Sequence, residues 1–255
     1  GRIDLRISTY PTLFGEKTVL RLLNLKEALF PLSSLGFRKD TETDFNNMLY
    51  GGEGIILVSG PTGSGKTTTL YSTLNKMEKP DINIVTIEDP IEFDLENINQ
   101  AQVNTKSGVT FASALRSILR QDPDIIMVGE IRDDETVELA IRAALTGHLV
   151  FSTIHTNDAA SGFARLLNWE IEPFLIASTV KGILAQRLVR RICENCRVEH
   201  EITDRESTLL KIDKKKYAKT FTGKGCLSCR NSGYRGRVGL YELLKVDEKV
   251  SQLVL

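Results

Sequence analysis

Gly60-Pro61-Thr62-Gly63-Ser64-Gly65-Lys66-Thr67 decides how this chain reads. An apolar run, Ile55-Ile56-Leu57-Val58, precedes it, and a helix-like segment, Thr68-Thr69-Leu70-Tyr71-Ser72-Thr73-Leu74, follows. Strand, glycine-rich turn and helix are the context in which G-x-x-x-x-G-K-[ST] denotes a phosphate-binding loop. Gly60, Gly63 and Gly65 remove Cβ atoms, so successive N–H groups can converge on phosphate oxygens. The helix behind them points its positive end at the same anion. Lys66 is expected to bridge β- and γ-phosphates and Thr67 to hold Mg²⁺, with Pro61, Thr62, Ser64 and Thr68 completing the cradle. The chain is read as binding a nucleoside triphosphate.

From Ile55 to about Phe151, short apolar runs alternate with helical periodicity. Ile82 to Ile87, Ile125 to Val128 and Leu149 to Thr153 read as strands. Phe111 to Leu119 and the series Val137, Ala140, Ile141, Ala144 read as helices. Such alternation predicts an α/β fold with a mostly parallel sheet, helices on both faces, and active residues at the carboxyl ends of the strands. Before this core, residues 2–7 alternate as a half-buried strand, Pro11 to Gly15 reads as a turn, and Lys17 to Leu23 as a second strand. A linker through Pro31, Ser33, Ser34 and Gly36 leads to a short helix ending near Tyr50. After the core, residues 158–168 and 174–189 read as helices, the second started by Pro173. The Lys214-Lys215-Lys216 run reads as a solvated surface.

Composition narrows the class. The chain has 255 residues, 41% apolar and 26% charged, which is ordinary for a globular protein. Thirty-three Lys and Arg balance thirty-three Asp and Glu, so no global charge bias favours nucleic acid or acidic lipid. No apolar run approaches the roughly 18 residues that span a bilayer. These features predict a cytoplasmic protein without membrane insertion. The start at Gly1 and the stop at Leu255, inside an apolar-periodic segment, lead us to expect further sequence at both ends.

Several further groups carry chemistry. The strand Ile125 to Val128 ends in Gly129-Glu130. With glycine at the usual aspartate position, Glu130 is the expected water-polarising acid. Thr86-Ile87-Glu88-Asp89-Pro90-Ile91-Glu92 places three carboxylates at another strand end. A shared Mg²⁺–phosphate site would explain that density, with Glu88 its foremost member. Thr146 to Asn157 holds two of the three histidines; His155 is either structural or a sensor of a γ-phosphate. Arg6 with Arg21, and Arg116 with Arg120 one helical turn apart, serve either phosphate charge or surface ion pairs. Cys193-x-x-Cys196 and Cys226-x-x-Cys229 use all four cysteines and read as a closed, structural Zn²⁺ site, in preference to disulfides or a redox pair. Lys224, Arg235 and Arg237 nearby would suit nucleic acid, but interleaved exposed aromatics are missing there.

Together these residues resemble the secretion-superfamily ATPases, in the branch that powers type II secretion and type IV pilus assembly. The phosphate loop, the acidic box Thr86 to Glu92, the glycine-glutamate pair continued by Ile131-Arg132-Asp133, the histidine box Thr146 to Asn157, and the cysteines followed by Gly233-Tyr234-Arg235-Gly236-Arg237 carry the likeness. The resemblance implies a RecA-like ATPase core over residues 37–190. It also implies the end of an N-terminal α/β domain and a linker over 1–36, a zinc module over 191–237, and a C-terminal segment over 238–255. It makes His155 a site residue and directs Arg6 and Arg21, with Arg116 and Arg120 from the core side, to the nucleotide. Further implications are ATP and Mg²⁺ as cofactors, a homo-hexameric ring, and an inner-membrane platform as partner, with the protein peripheral to that membrane and nucleic acid not expected. The rival readings are a nucleic-acid translocase with a zinc-ribbon-like module and a non-hydrolysing nucleotide-binding scaffold.

Overall fold

A computed structural model describes residues 4–23, 30–213, 216 and 219–255. The readings at Arg2, Ile3 and Asn24 and at Lys214-Lys215 fall outside the described residues. In chain order the elements are β1 (Asp4–Thr12), β2 (Gly15–Leu23), α1 (Lys39–Leu49), β3 (Gly54–Ser59), α2 (Lys66–Met77), β4 (Ile84–Glu88) and β5 (Asn99–Gln102). Then come α3 (Phe111–Ile118), β6 (Ile125–Val128), α4 (Asp134–Leu145), β7 (Leu149–Ile154), α5 (Ala160–Asn168), α6 (Pro173–Thr179) and β8 (Val180–Ile192). The chain closes with β9 (Arg197–Glu201), α7 (Asp204–Leu210), β10 (Lys219–Gly223), β11 (Tyr234–Lys245) and α8 (Glu248–Val254).

Seven strands form one sheet in the order β11-β8-β3-β7-β6-β4-β5, and the pairings from β8 through β5 are parallel. The side-chain alternation of β3 explains the layers. Ile55 and Leu57 pack with Leu115, Val137, Ile141 and Ile176 from the helices of one face. Ile56 and Val58 pack with Phe45, Leu70, Tyr71 and Leu74 from α1 and α2 on the other. Every residue of β3, β4, β6 and β7 is buried. A strand covered on both faces is predominantly apolar, which is why these segments read as near-continuous runs. Each fully buried Ile, Leu or Val there contributes about 1.5–3 kcal/mol.

Two of these readings change, and one strand, β5, carried no expectation. The helix expected over 174–189 stops at Thr179, and β8 begins at Val180. Val180, Ile183 and Leu184 imitate helical spacing, but Ile183 belongs to one core layer and Leu184 to the opposite one, as a doubly covered strand requires. The turn expected at Pro11 to Gly15 shrinks to Leu13-Phe14, and β1 runs through Pro11. β5, with the sequence Asn-Gln-Ala-Gln, is a polar edge strand whose alternation signal is absent.

The described chain divides into two compact units, Gly1–Arg187 with Tyr241–Leu255, and Leu188–Leu240. The second contains the antiparallel pair β9–β10 and α7. Within the first, the β1–β2 ribbon sets Arg6 directly opposite Arg21, and its side chains from Leu5 to Arg21 are exposed. No helix among the described residues is long and apolar enough to cross a membrane.

Candidate functional site

The phosphate loop leaves the carboxyl end of β3 and enters α2 directly at Lys66. Gly65 caps the helix in the left-handed region at φ +90°, without a side-chain cap. By contrast Thr110 caps α3 and Asp133 caps α4 with side-chain acceptors. The first N–H groups of α2 are thus left for an external anion. The N–H groups of Gly63 and Gly65 likewise meet no protein acceptor among the described residues. A Cβ on Gly60 would lie 2.6 Å from the Gln186 carbonyl oxygen and from Ser64 Oγ, so only glycine fits that turn. These features form a cradle for phosphate oxygens.

The Lys66 ammonium donates to the Gly60 and Pro61 carbonyls at 2.8 and 3.3 Å. Burial holds its pKa below the usual lysine range, opposed by the charge of Glu130. Gln186 on β8, a residue the sequence reading passed over, is 2% exposed and braces the loop. Its Nε2 donates to the Ser64 carbonyl at 2.8 Å, and its Oε1 accepts from Thr69 Oγ1 at 2.8 Å. No local pattern marks a glutamine whose partners lie more than a hundred residues away.

β3, β7, β6 and β4 are consecutive in the sheet and parallel, so their carboxyl ends lie side by side. They deliver, in that order, the phosphate loop, His155, Gly129-Glu130 and Glu88-Asp89. Glu130 Oε1 meets His155 Nε2 at 3.0 Å, and Glu130 Oε2 accepts from Arg132 Nε at 2.8 Å. Arg132 reaches on to Asp89 at 3.7 Å. Arg132, which carries no expected role in the sequence, takes one from these contacts. Gly129 explains the atypical strand end: a Cβ there would lie 3.3 Å from both Glu88 Cα and the Ile87 carbonyl oxygen. To admit any side chain there, the backbone at the β4 end would have to give by a few tenths of an ångström.

Glu88 is 3% exposed and fully engaged. Its Oε1 accepts from Thr86 Oγ1 at 2.6 Å and Gln100 Nε2 at 3.0 Å, while the Tyr71 hydroxyl donates to Oε2. Asp89, by contrast, is half-exposed. Arg116 pairs with Glu135, and Arg120 donates to the Arg116 carbonyl at 2.8 Å. Neither is bonded to the phosphate loop. Arg6 and Arg21 have no ion-pair partner among the described residues, and two like charges set opposite each other repel unless an anion lies between them.

In the second unit all four cysteines converge as free thiols, with ligand atoms within 4.8 Å of one another. Sγ···Sγ separations are 3.8 Å (Cys193–Cys226), 3.9 Å (Cys196–Cys229) and 3.7 Å (Cys226–Cys229). Tetrahedral Zn–S bonds of about 2.3 Å require S···S separations of about 3.8 Å, so the donor set fits zinc. Burial opposes the Cys229 thiolate, but N–H donors from Cys226 and Gly233 outweigh it and bring the thiol down to about 6.

A parallel sheet that presents a phosphate loop beside a cluster of strand-end carboxylates defines an α/β protein of the phosphate-loop class. The chain belongs to the type II/IV secretion system protein family, which it matches over residues 1–255. It is 48% identical over 252 residues to the type II secretion system ATPase E of Vibrio cholerae serotype O1, covering 99% of this chain and 50% of that protein. It is also 48% identical over 256 residues to the type IV pilus assembly ATPase PilB of Pseudomonas aeruginosa, covering 99% and 45%. Among solved structures, the pilus retraction motor PilT with bound ADP matches with a TM-score of 0.72 at 31% identity, over 98% of this chain and 62% of that one. The Legionella pneumophila ATPase DotB matches with a TM-score of 0.68 at 25% identity, over 98% and 60%. The chain spans about half the length of the curated secretion relatives it matches.

Proposed function

We propose that this chain is the ATP-hydrolysing part of a ring-forming motor that drives pseudopilus or pilus assembly. The observation that carries the reading is the delivery of Lys66, His155, Glu130 and Glu88 by four consecutive parallel strands to one edge of the sheet. ATP bound in the loop supplies the phosphoryl group, with Mg²⁺ held through Thr67. Lys66 exchanges the Gly60 and Pro61 carbonyls for phosphate oxygens. Glu130 orients the attacking water, held in place by His155 and Arg132. Glu88 is a fixed negative charge beside it.

Arg6 and Arg21 are proposed to meet phosphate charge when the ring closes, and Arg116 and Arg120 to act from the core side after leaving their present partners. A well-placed arginine supplies on the order of 10³–10⁵ in rate in related phosphoryl-transfer sites. Such dependence couples turnover to closure, which is how hydrolysis can drive motion. The homo-hexamer, the inner-membrane platform and the peripheral cytoplasmic location belong to this proposal, as does structural zinc on the four cysteines. The secretion and pilus relatives match equally well, so the cargo is given as pilin-like subunits of either kind.

Glu130→Gln in the full-length protein tests the reading. Nucleotide affinity should persist while phosphate release nearly vanishes; release at the wild-type rate overturns the assignment.

One observation favours a second reading. Residues 188–240 hold 13 Lys and Arg against 6 Asp and Glu, a net of +7 concealed by the balanced whole. A basic module would suit a nucleic-acid translocase. Among the described residues, however, its aromatic rings already carry a cation on one face: Arg197 lies 3.4 Å from the Phe221 ring centroid and Arg190 4.0 Å from that of Tyr234, which competes with base stacking there. Single- and double-stranded DNA should leave the ATPase rate unchanged; stimulation would favour the translocase.

A further inference from the structure

We propose that Tyr71 and Gln100 are positioning residues that hold the Glu88 carboxylate for hydrolysis, and that Tyr71 ties it to the phosphate-loop helix. The proposal rests on the reading of Glu88 as part of the hydrolytic site. Tyr71 lies in the second turn of α2 and is 0% exposed. Its neighbours Leu70, Leu74 and Met77 meet the packing needs of that face with purely apolar side chains. A phenylalanine would fill the same space, so packing alone leaves the hydroxyl unexplained.

Its partners explain it. A buried carboxylate is strongly unfavourable unless donors replace its lost water. Glu88 has three side-chain donors on three elements: Tyr71 on α2, Thr86 on β4 and Gln100 on β5. Tyr71 and Gln100 are themselves held. The Tyr71 oxygen accepts from the Glu92 N–H at 3.3 Å, and its ring meets Phe93 edge-on at 4.6 Å. Gln100 Oε1 accepts from the Leu95 N–H at 2.7 Å, which orients its Nε2 towards Glu88. Burial, then the bond to Glu88, raises the Tyr71 pKa well above the usual phenol range, so it remains a donor. The network therefore joins the helix that begins at Lys66 to the carboxylate at the end of β4. Any movement of α2 on nucleotide binding reaches Glu88 through one hydrogen bond.

The test is a double-mutant cycle in the full-length, zinc-loaded protein, read by steady-state and single-turnover ATP hydrolysis, nucleotide affinity and thermal melting. Tyr71→Phe should lower kcat about ten- to a hundredfold, the scale of a small misplacement of a reacting group, with KM for ATP within about twofold. In a Glu88→Gln background the same change should cost no further kcat, although its effect on melting persists. Gln100→Leu, on a different element, should repeat the pattern and keeps the test open if Tyr71→Phe folds poorly. Wild-type kcat in both single variants overturns the proposal, and so does an equal kcat loss in both backgrounds, which marks a purely structural role. Wild-type turnover by Glu88→Gln itself removes the underlying assignment of Glu88. That outcome is distinct from an inactive Glu88→Gln beside an unaffected Tyr71→Phe.

Discussion

Glu130 is held from two sides, by His155 at 3.0 Å and by Arg132 at 2.8 Å, and Arg132 also faces Asp89. Arg132 is half-exposed, so its pairs add at most about 1 kcal/mol of stability. Their value is directional: they fix where the Glu130 carboxylate points. Arg132→Ala should therefore lower kcat on the order of tenfold or more. The melting midpoint should shift by less than about 4 °C. A comparison of turnover with thermal melting checks this, and a large melting shift with intact turnover would contradict it. Lys66 is a different case, because its present acceptors are the loop's own carbonyls. Lys66→Ala should leave the fold intact and abolish binding of a fluorescent ATP analogue. Lys66 and Glu130 were legible in the sequence because a phosphate loop and a strand-end acid are local patterns. Gln186 and Tyr71 were not, because their roles are set by partners that only the folded sheet brings near.

At the scale of elements, the close approach of β4 and β6 shapes the site. A Cβ on Gly129 would press on backbone atoms of Glu88 and Ile87, which cannot rotate away as a side chain would. Gly129→Ala should cost about 1–3 kcal/mol, an overpacking penalty measurable by denaturant unfolding. The same physics separates what the sequence disclosed about the elements from what it hid. β3, β6 and β7 are covered on both faces and stand out as short apolar runs. The first half of β8 is covered likewise, yet its apolar residues fall at positions that also suit a helix, and sheet pairing with β3 decides for the strand. β5 lies at the sheet edge and has no apolar face to announce it. In the second unit, α7 depends on a capping box in which Thr203 and Glu206 exchange hydrogen bonds. Those bonds, with a contribution from His200, lower the Glu206 pKa to about 2. A lowered folded-state pKa contributes stability above the unfolded value near 4.5 and loses it as pH falls towards 2. The melting difference between wild type and Glu206→Gln should thus shrink as pH falls from about 5 towards 2. A difference that stays flat down to pH 2.5 would count against the capping-box account.

Across the whole molecule, the two units are stabilised by different means. The first has two apolar layers on either side of a sheet. Among the described side chains of Leu188–Leu240, the apolar ones that are buried are Cys193, Ile202 and Cys229, two of them candidate zinc ligands. A unit of this size with so little apolar interior needs a staple. The four thiols at 3.7–3.9 Å are in place to provide one through zinc. The net +7 of the segment adds repulsion that four thiolates around a divalent ion partly offset. Removal of zinc should therefore unfold the second unit selectively. No residue of the phosphate loop, the acidic box or the histidine box Thr146 to Asn157 lies within Leu188–Leu240, so binding of an ATP analogue should survive. Hydrogen exchange on chelated protein, with zinc loss verified by metal analysis, should show β9, β10 and α7 losing protection while β3 and α2 keep theirs. If metal-free protein retains full protection in β9 and β10, the thin interior suffices without a metal, and zinc is a passenger in the fold.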